Sequence, residues 1–371
     1  MKSKFRAMAA VAVIAIAASA CGSSGSSTTT TTAASGGSTT STSAPAKFLG
    51  CMVTDTGGID DRSFNASSWQ GMQEAQAAEP SKITVKYLQS TTQSDYVPNI
   101  NTFESQHCGI IVTVGFLMGT ATQNAAKANA NQKFGIVDYT YSPAISNIDA
   151  LVFNTVQDGF LGGYLAAGMS KTHVVATFGG LKIPTVTIYM DGFWDGVQYY
   201  DTKHPGTKTT VLGWNEQTQT GSFTGDFTNQ TKGETLTQAF ISEHADIIFP
   251  VAGNVGLGAA KAVQTADAAG QDVNMEWVDT DGCISAPQYC KYFITSVEKG
   301  IQTAVKTAVV SAANGTFKGG NYIGTLANGG VTLAPFHDFA SKVPASLNSE
   351  LAQVKQGIIN GSIPTPTKSP V

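Results

Sequence analysis

From residue 47 onward, short apolar runs alternate with helical stretches, and the whole alternation plays through twice. The first pass reads "FLGCMVTD", "KITVKYL", "CGIIVTVG", "KFGIVD" and "ALVFN" as strands, with helices such as "NASSWQGMQEAQAA" and "GTATQNAAKANA" between them. The second reads "HVVATFGG", "TKTTVLGW", "DIIFPVAG", "NMEWVD" and "YFITSV" as strands. Its helices are "IYMDGFWDGVQYYD", "GETLTQAFISEHA" and "GLGAAKAVQTADAA", and "KGIQTAVKTAVVSAAN" follows. Strands that are apolar throughout and spaced by helices are those of a parallel sheet buried on both faces. Two such series with no long linker predict an α/β chain of two doubly wound lobes sharing a cleft. At 371 residues the chain is long enough to fill two cores.

Ligands of such folds sit outside the carboxyl ends of the parallel strands, so the strand ends carry the functional information. They are consistent in kind. "VTD" ends in Asp55, "IVD" in Asp138 and "WVDTD" in Asp279 and Asp281, while "TVG" runs into Gly115 and Phe116 and "PVAG" into Gly253. A lone Asp after a strand is commonly a turn former or a helix cap. Three strands ending alike point instead to a ligand site, and acids beside aromatic rings suit a neutral, hydroxyl-rich or heteroaromatic ligand.

The first residues read as a targeting signal. Lys2, Lys4 and Arg6 precede a 14-residue apolar stretch, Ala7 to Ala20, too short to span a bilayer comfortably. It ends in "ASAC", small residues directly before Cys21, which matches a bacterial lipobox with Ala18 where Leu is commoner. The expectation is a signal over 1–20 and a lipid on Cys21, anchoring the protein to the cell membrane on its extracytoplasmic face. Residues 22–46 contain only Gly, Ser, Thr, Ala and one Pro. They are expected to form a flexible tether reaching roughly 25–30 Å. The rest carries 19 basic against 26 acidic residues with no basic cluster, which excludes nucleic-acid binding through bulk electrostatics.

Past Cys21 four cysteines remain, an even number that in an exported protein favours disulfides. Of three possible pairings, Cys51–Cys108 with Cys283–Cys290 is preferred. The first joins two strands expected to be neighbours, and the second closes a short loop. No cysteines or histidines stand at metal-ligand spacing, so no metal and no cofactor is expected. Catalytic motifs are absent too: there is no GxSxG, no phosphate loop and no HExxH. "GNVGLG" (Gly253 to Gly258) follows a strand and opens a helix, but its third Gly comes one position early for a dinucleotide fingerprint. The chain is therefore read as a binding protein, not an enzyme.

The segment "VTDTGGIDDRSFNASSWQGM" (Val53 to Met72) resembles the signature of the basic membrane protein family, the PnrA-like lipoproteins. The likeness continues through "GFLMGTATQNAAKANANQKFGIVD", "GGYLAAGMSKTHVVATFGGLKIPTV", "DGFWDGV", "DIIFPVAGNVGLGAA", "VDTD" and "TSVEKGIQTAV", about residues 47–320. The resemblance implies a type I periplasmic-binding-protein fold, two Rossmann-like lobes joined by a hinge crossed several times. The lobes are placed at 47–157 plus 284–318 and at 158–283 plus 319–371. It also implies a monomeric substrate-binding component of an ABC importer that captures purine nucleosides for a permease. Riboflavin, a pyrimidine nucleoside, a sugar-like solute and a ligand-sensing role are the alternatives.

Residue by residue, the resemblance puts Asp55 near the purine edge or ribose, Phe64 on the base and Asn65 in hydrogen-bonding reach. Asp138 should bond a base nitrogen, and Phe193 is the aromatic of the second lobe. Gly253 lets backbone approach the ligand, while Asp279 and Lys299 take ribose hydroxyls. Phe116 is an added candidate for the cleft lining. The stretch Gly213 to Gly233 is longer than the family pattern. Aligning "GDFTNQTKG" makes Phe227 the second stacking ring, with Asn229 replacing the usual acid. Aligning "GSF" would nominate Phe223 instead.

Overall fold

The computed structural model describes residues 46–369, so the expected signal, the expected lipidation site Cys21 and nearly all of the expected tether lie outside the described residues. The first series of elements is β1 (Phe48–Val53), α1 (Phe64–Ala78), β2 (Ile83–Leu88), α2 (Tyr96–Ser105), β3 (Ile110–Val114), α3 (Gly119–Ala128), β4 (Phe134–Val137) and β5 (Ile148–Phe153). The second begins with α4 (Val156–Met169), β6 (Val174–Gly179), α5 (Pro184–Lys203), β7 (Thr210–Leu212) and a small hairpin, β8 (Trp214–Asn215) with β9 (Thr220–Gly221). It continues with α6 (Gln230–Ser242), β10 (Ile247–Val251), α7 (Val255–Ala268), β11 (Asn274–Asp279), α8 (Gly282–Ser285) and β12 (Phe293–Lys299). Last come α9 (Ile301–Ala313), β13 (Gly320–Gly324), β14 (Val331–Leu333) and α10 (Ala345–Ile359).

These strands build two six-stranded sheets. One has the order β13-β5-β4-β3-β1-β2 and the other β14-β12-β11-β10-β6-β7. All pairings within them are parallel except β12 with β14. The central strands are buried end to end because helices cover both faces: every residue of β3, β4 and β10 is buried.

The chain passes between the sheets three times, after Phe153, after Lys299 and after Gly324. The crossings are bonded to one another: Asn154 N donates to Gly324 O at 2.8 Å and Gly300 N to Gly330 O at 2.8 Å. These crossings correct the expected lobe boundaries. β12, expected with the first lobe inside 284–318, pairs with β11 in the second sheet; β13, expected with the second lobe, pairs with β5 in the first. Only α9 of the 284–318 segment returns to the first lobe, where it packs on α1.

Both expected disulfides form, Cys51–Cys108 and Cys283–Cys290. Cys51 lies in β1, directly beside β3, and Cys108 stands just before β3. With a sequence separation of 57, the first bridge constrains the unfolded chain by about 4 kcal/mol on the loop-entropy model, against about 2 kcal/mol for the separation of 7 in the second.

α4 and α5 lie together against the second sheet with their backbones in contact. Sequence periodicity does not reveal α4, because nearly all of its residues from Val156 to Ala167 are buried and its pattern has no polar face. The contact depends on glycines spaced four apart on each helix, Gly159 and Gly163 against Gly192 and Gly196. A Cβ on Gly196 would stand 2.0 Å from Phe160 O, and one on Gly163 would stand 1.9 Å from Phe193 O. This packing fixes the N-terminal half of α5, which carries part of the cavity described next. Gly196→Ala is accordingly expected to cost about 1–3 kcal/mol by forcing the helices apart. A lowered urea midpoint at unchanged slope would show it; an unshifted midpoint would mean that the contact is not tight.

Candidate functional site

The carboxyl ends of the two sheets face a common cavity with about 550 Å³ of empty space, its opening to solvent included. Nine of the ten expected ligand residues line it: Asp55, Phe64, Asn65, Phe116, Asp138, Phe227, Gly253, Asp279 and Lys299. All but Phe227, which lies in the loop between β9 and α6, arrive from a strand end or the turn after it, or from the first residues of the following helix. Asp55 follows β1, Phe116 follows β3, Asp138 follows β4 and Gly253 follows β10, while Asp279 and Lys299 close β11 and β12.

Lys299 is the centre of the charge arrangement. Its Nζ lies 2.6 Å from Asp138 Oδ2 and 3.5 Å from Asp279 Oδ1, with all three side chains at most 9% exposed. Burial alone would push this ammonium down; the two carboxylates outweigh it and hold the lysine above its ordinary value. The cation also stands 5.1 Å from the ring centres of both Phe64 and Tyr189. A lysine just before a helix N-terminus opposes the helix dipole, and the paired acids resolve that conflict.

The acids are held from both sheets. Asp279 Oδ2 accepts from Ser63 Oγ at 2.9 Å, and its Oδ1 accepts from the Tyr189 hydroxyl at 3.2 Å. Asp55 Oδ1 accepts from Asn65 Nδ2 and Gly57 N, both at 2.9 Å. Burial nevertheless raises Asp55 above the usual carboxylate range. It raises Asp138 as well, with the Lys299 ammonium pulling the other way. Asp138 and Asp279 adopt positive φ, 66° and 68°, a conformation that short polar side chains tolerate best. Gly115, at φ 113°, lies where a Cβ would stand 2.6 Å from Asp55 Oδ2.

Phe193 is the expected residue that the fold places elsewhere. It is fully buried and stacks on Phe249 at 5.4 Å, in the core beneath α5. α5 lines the cavity with Thr185, Val186 and Tyr189, the last standing one turn nearer the helix N-terminus than Phe193. Helical phase was the missed signal: positions 189 and 193 share a face, and the earlier one lies closer to the strand ends.

Of the two rings in the longer stretch, Phe227 is the one at the cavity. Its ring covers Gly180 and lines the cavity, whereas Phe223 meets Trp214 edge-on at 5.9 Å. The same stretch contains the β8–β9 hairpin, tied to α5 by Trp214 Nε1 donating to Asp191 Oδ1 at 3.1 Å. Asn229 caps α6 by accepting from Lys232 N.

Asp61, not singled out from sequence, lines the cavity too. Both its oxygens accept backbone N–H groups at the start of α1, from Ser63, Asn65 and Ala66. Asp281 stays outside the lining and caps the short α8. In "GNVGLG", Gly258 serves helix packing: a Cβ there would stand 1.8 Å from Gln230 O on α6.

Known proteins share this chain's sequence and fold. Residues 48–369 match the family model "ABC transporter substrate-binding protein PnrA-like". The chain is 28% identical over 329 residues to the ABC transporter nucleoside-binding protein BmpA of Lactococcus lactis subsp. cremoris, covering 85% of this chain and 88% of that protein. It is 30% identical to the CD4+ T-cell-stimulating antigen of Listeria monocytogenes, covering 86% and 88% respectively. Among solved structures, an ABC transporter solute-binding protein from Aeropyrum pernix superposes with a TM-score of 0.76 at 23% identity, over 86% of this chain and 94% of that one. At that identity the likeness speaks to fold, and it is the expected type I periplasmic-binding-protein fold.

Replacing Lys299 by Met would leave Asp138 and Asp279 buried without a cation. At neutral pH the expected loss is about 3–5 kcal/mol. Without the ammonium, burial drives the folded-state carboxyl of Asp138 higher still above its ordinary 3.8. A group raised on folding contributes stability below its unfolded value and loses it as pH rises through the folded value. The deficit of Lys299→Met should therefore be small near pH 4 and grow toward pH 8. Unfolding titrations across that range check this, and a pH-independent deficit would contradict it.

Proposed function

The chain belongs to the PnrA-like family of ABC transporter substrate-binding proteins, and from that premise we propose that it captures a purine nucleoside between its two lobes. The observation that carries this reading is the meeting of rings and acids from both sheets in one cavity: Phe64 and Phe227, with Asp55, Asp138, Asp279 and Lys299. A purine stacked on such rings gains about 1–3 kcal/mol per face, by analogy with base–aromatic stacking. Each hydrogen bond from its N–H or ribose O–H groups to a carboxylate adds about 1.5–3 kcal/mol. The relative from Lactococcus lactis is itself named nucleoside-binding.

Capture proceeds by closure. The ligand binds one lobe, and contacts from the other stabilise the closed form about the three crossings. The loaded protein then docks on a permease, held at the extracytoplasmic face by the lipid on Cys21. In this reading the protein binds and releases its solute unchanged.

Thermal unfolding of the full chain in detergent, disulfides intact, tests the reading against adenosine, guanosine, inosine, uridine, riboflavin, ribose and glucose. A ligand at about a hundred times its Kd stabilises the native state by about 2.7 kcal/mol, a readily measured shift. Purine nucleosides should raise the midpoint, and a response to another solute alone would redirect the ligand assignment. Asp279→Asn, which keeps the positive φ acceptable, should weaken nucleoside binding by about tenfold or more, and undiminished affinity would remove Asp279 from the site. Cys21→Ser should release the protein from the membrane fraction, and unchanged retention would overturn the lipid anchor.

A further inference from the structure

Beside the main cavity lies a second chamber with about 780 Å³ of empty space, its opening to solvent included. The two share Phe116, Asp138, Thr185 and Lys299, so the buried ion pair forms a common wall. The rest of the chamber is chiefly apolar, with Tyr139, Val152, Phe153, Pro184 and Ile188 around it. Thr155 also lines it, from the first crossing between the sheets.

Thr155 is the unusual member. It occupies the position before α4 where a threonine hydroxyl ordinarily accepts a first-turn N–H, yet it makes no capping bond. It is wholly buried, and its Oγ1 has no hydrogen-bond partner at all. A buried hydroxyl left unpaired is costly, and folded proteins rarely keep one without a use for it. The charges around the chamber are already committed, since Lys299 Nζ and Asp138 Oδ2 are paired at 2.6 Å.

We propose that this chamber is a second subsite, which takes a neutral, mostly apolar substituent carried by the nucleoside, with one polar atom meeting Thr155 Oγ1. The inference rests on the nucleoside reading above and extends it. The solute class becomes a modified purine nucleoside, and a phosphorylated one is disfavoured.

The test is calorimetric titration of the full chain in detergent with four probes. They are adenosine, its benzyl derivative on the exocyclic amine, its methylthio derivative on the ribose 5′ carbon, and adenosine monophosphate. At least one of the two neutral derivatives should bind about tenfold tighter than adenosine, as burying its substituent implies; the monophosphate should bind more weakly than adenosine. Ile188→Trp, which fills the chamber, and Thr155→Val, which removes the hydroxyl at constant shape, should each erase the gain and leave adenosine affinity unchanged. Retained adenosine binding shows that the variants fold. If neither derivative exceeds adenosine, or the gain survives both variants, the subsite is overturned while the nucleoside reading stands. If adenosine and every derivative fail to bind the native protein, both readings fall.

Discussion

One buried ammonium group ties this molecule together. Lys299 closes a strand of the second sheet, pairs at 2.6 Å with an aspartate of the first, and stands immediately before the second crossing between them. A buried ion pair is poor evidence of stability in itself, because desolvation offsets most of the attraction. Its weight here is geometric. The ammonium satisfies carboxylates from both lobes at one point, so the distance between the sheets at that point is set by charge as well as by packing. Ser63 on the first lobe adds a hydroxyl to Asp279 on the second, and Arg62 O accepts from Trp277 Nε1 across the same gap. Any solute in the cavity is thus bound against the groups that hold the lobes together. Coupling of occupancy to closure needs no additional device.

The two sheets place their chemistry alike. In each, the fourth strand of the parallel series, β4 or β11, ends in an aspartate of positive φ, and the third, β3 or β10, runs into a positive-φ glycine. Parallel strands all point their carboxyl ends one way, so two related sheets facing one another converge their turns on one space. The left-handed backbone at Asp138 and Asp279 turns the chain sharply at the strand end, which lets both carboxylates reach a single lysine. The same demand explains why acids with short side chains occupy these positions.

How much of this was legible in the sequence depended on the kind of constraint. Strands such as "IIVTV" and "IIFPV" announced themselves because burial on both faces leaves no charged position in them and at most one hydroxyl. Strand-end acids were legible because position in a parallel sheet implies direction. The assignment of β12 and β13 to sheets was not, since a short apolar strand carries no mark of which neighbour it joins. α4 was hidden for the opposite reason: glycines and apolar residues on every side erase the helical period. Phe193 and Tyr189 differ by one turn on one face, and a local motif cannot say which turn reaches the cavity. That Phe223 packs on Trp214, itself bonded to Asp191 of α5, while Phe227 lines the cavity, rests on contacts between distant parts of the chain.

The charge distribution also narrows what the cavity can hold. Four aspartates line it, Asp55, Asp61, Asp138 and Asp279, against one lysine already engaged by two of them. A carboxylate or phosphate entering this space would face like charge with no free cation and would have to surrender its own hydration, a cost of several kcal/mol. A solute rich in N–H and O–H donors meets the reverse situation, since each aspartate oxygen it reaches is an acceptor. Burial raises the Asp55 and Asp138 carboxyls above the usual carboxylate range, and on Asp138 the Lys299 ammonium pulls the other way. The site is therefore suited to a neutral molecule with several donors and a flat face for the rings. A purine joined to a ribose has that combination, whereas a free sugar lacks the flat face and a nucleotide lacks the neutrality.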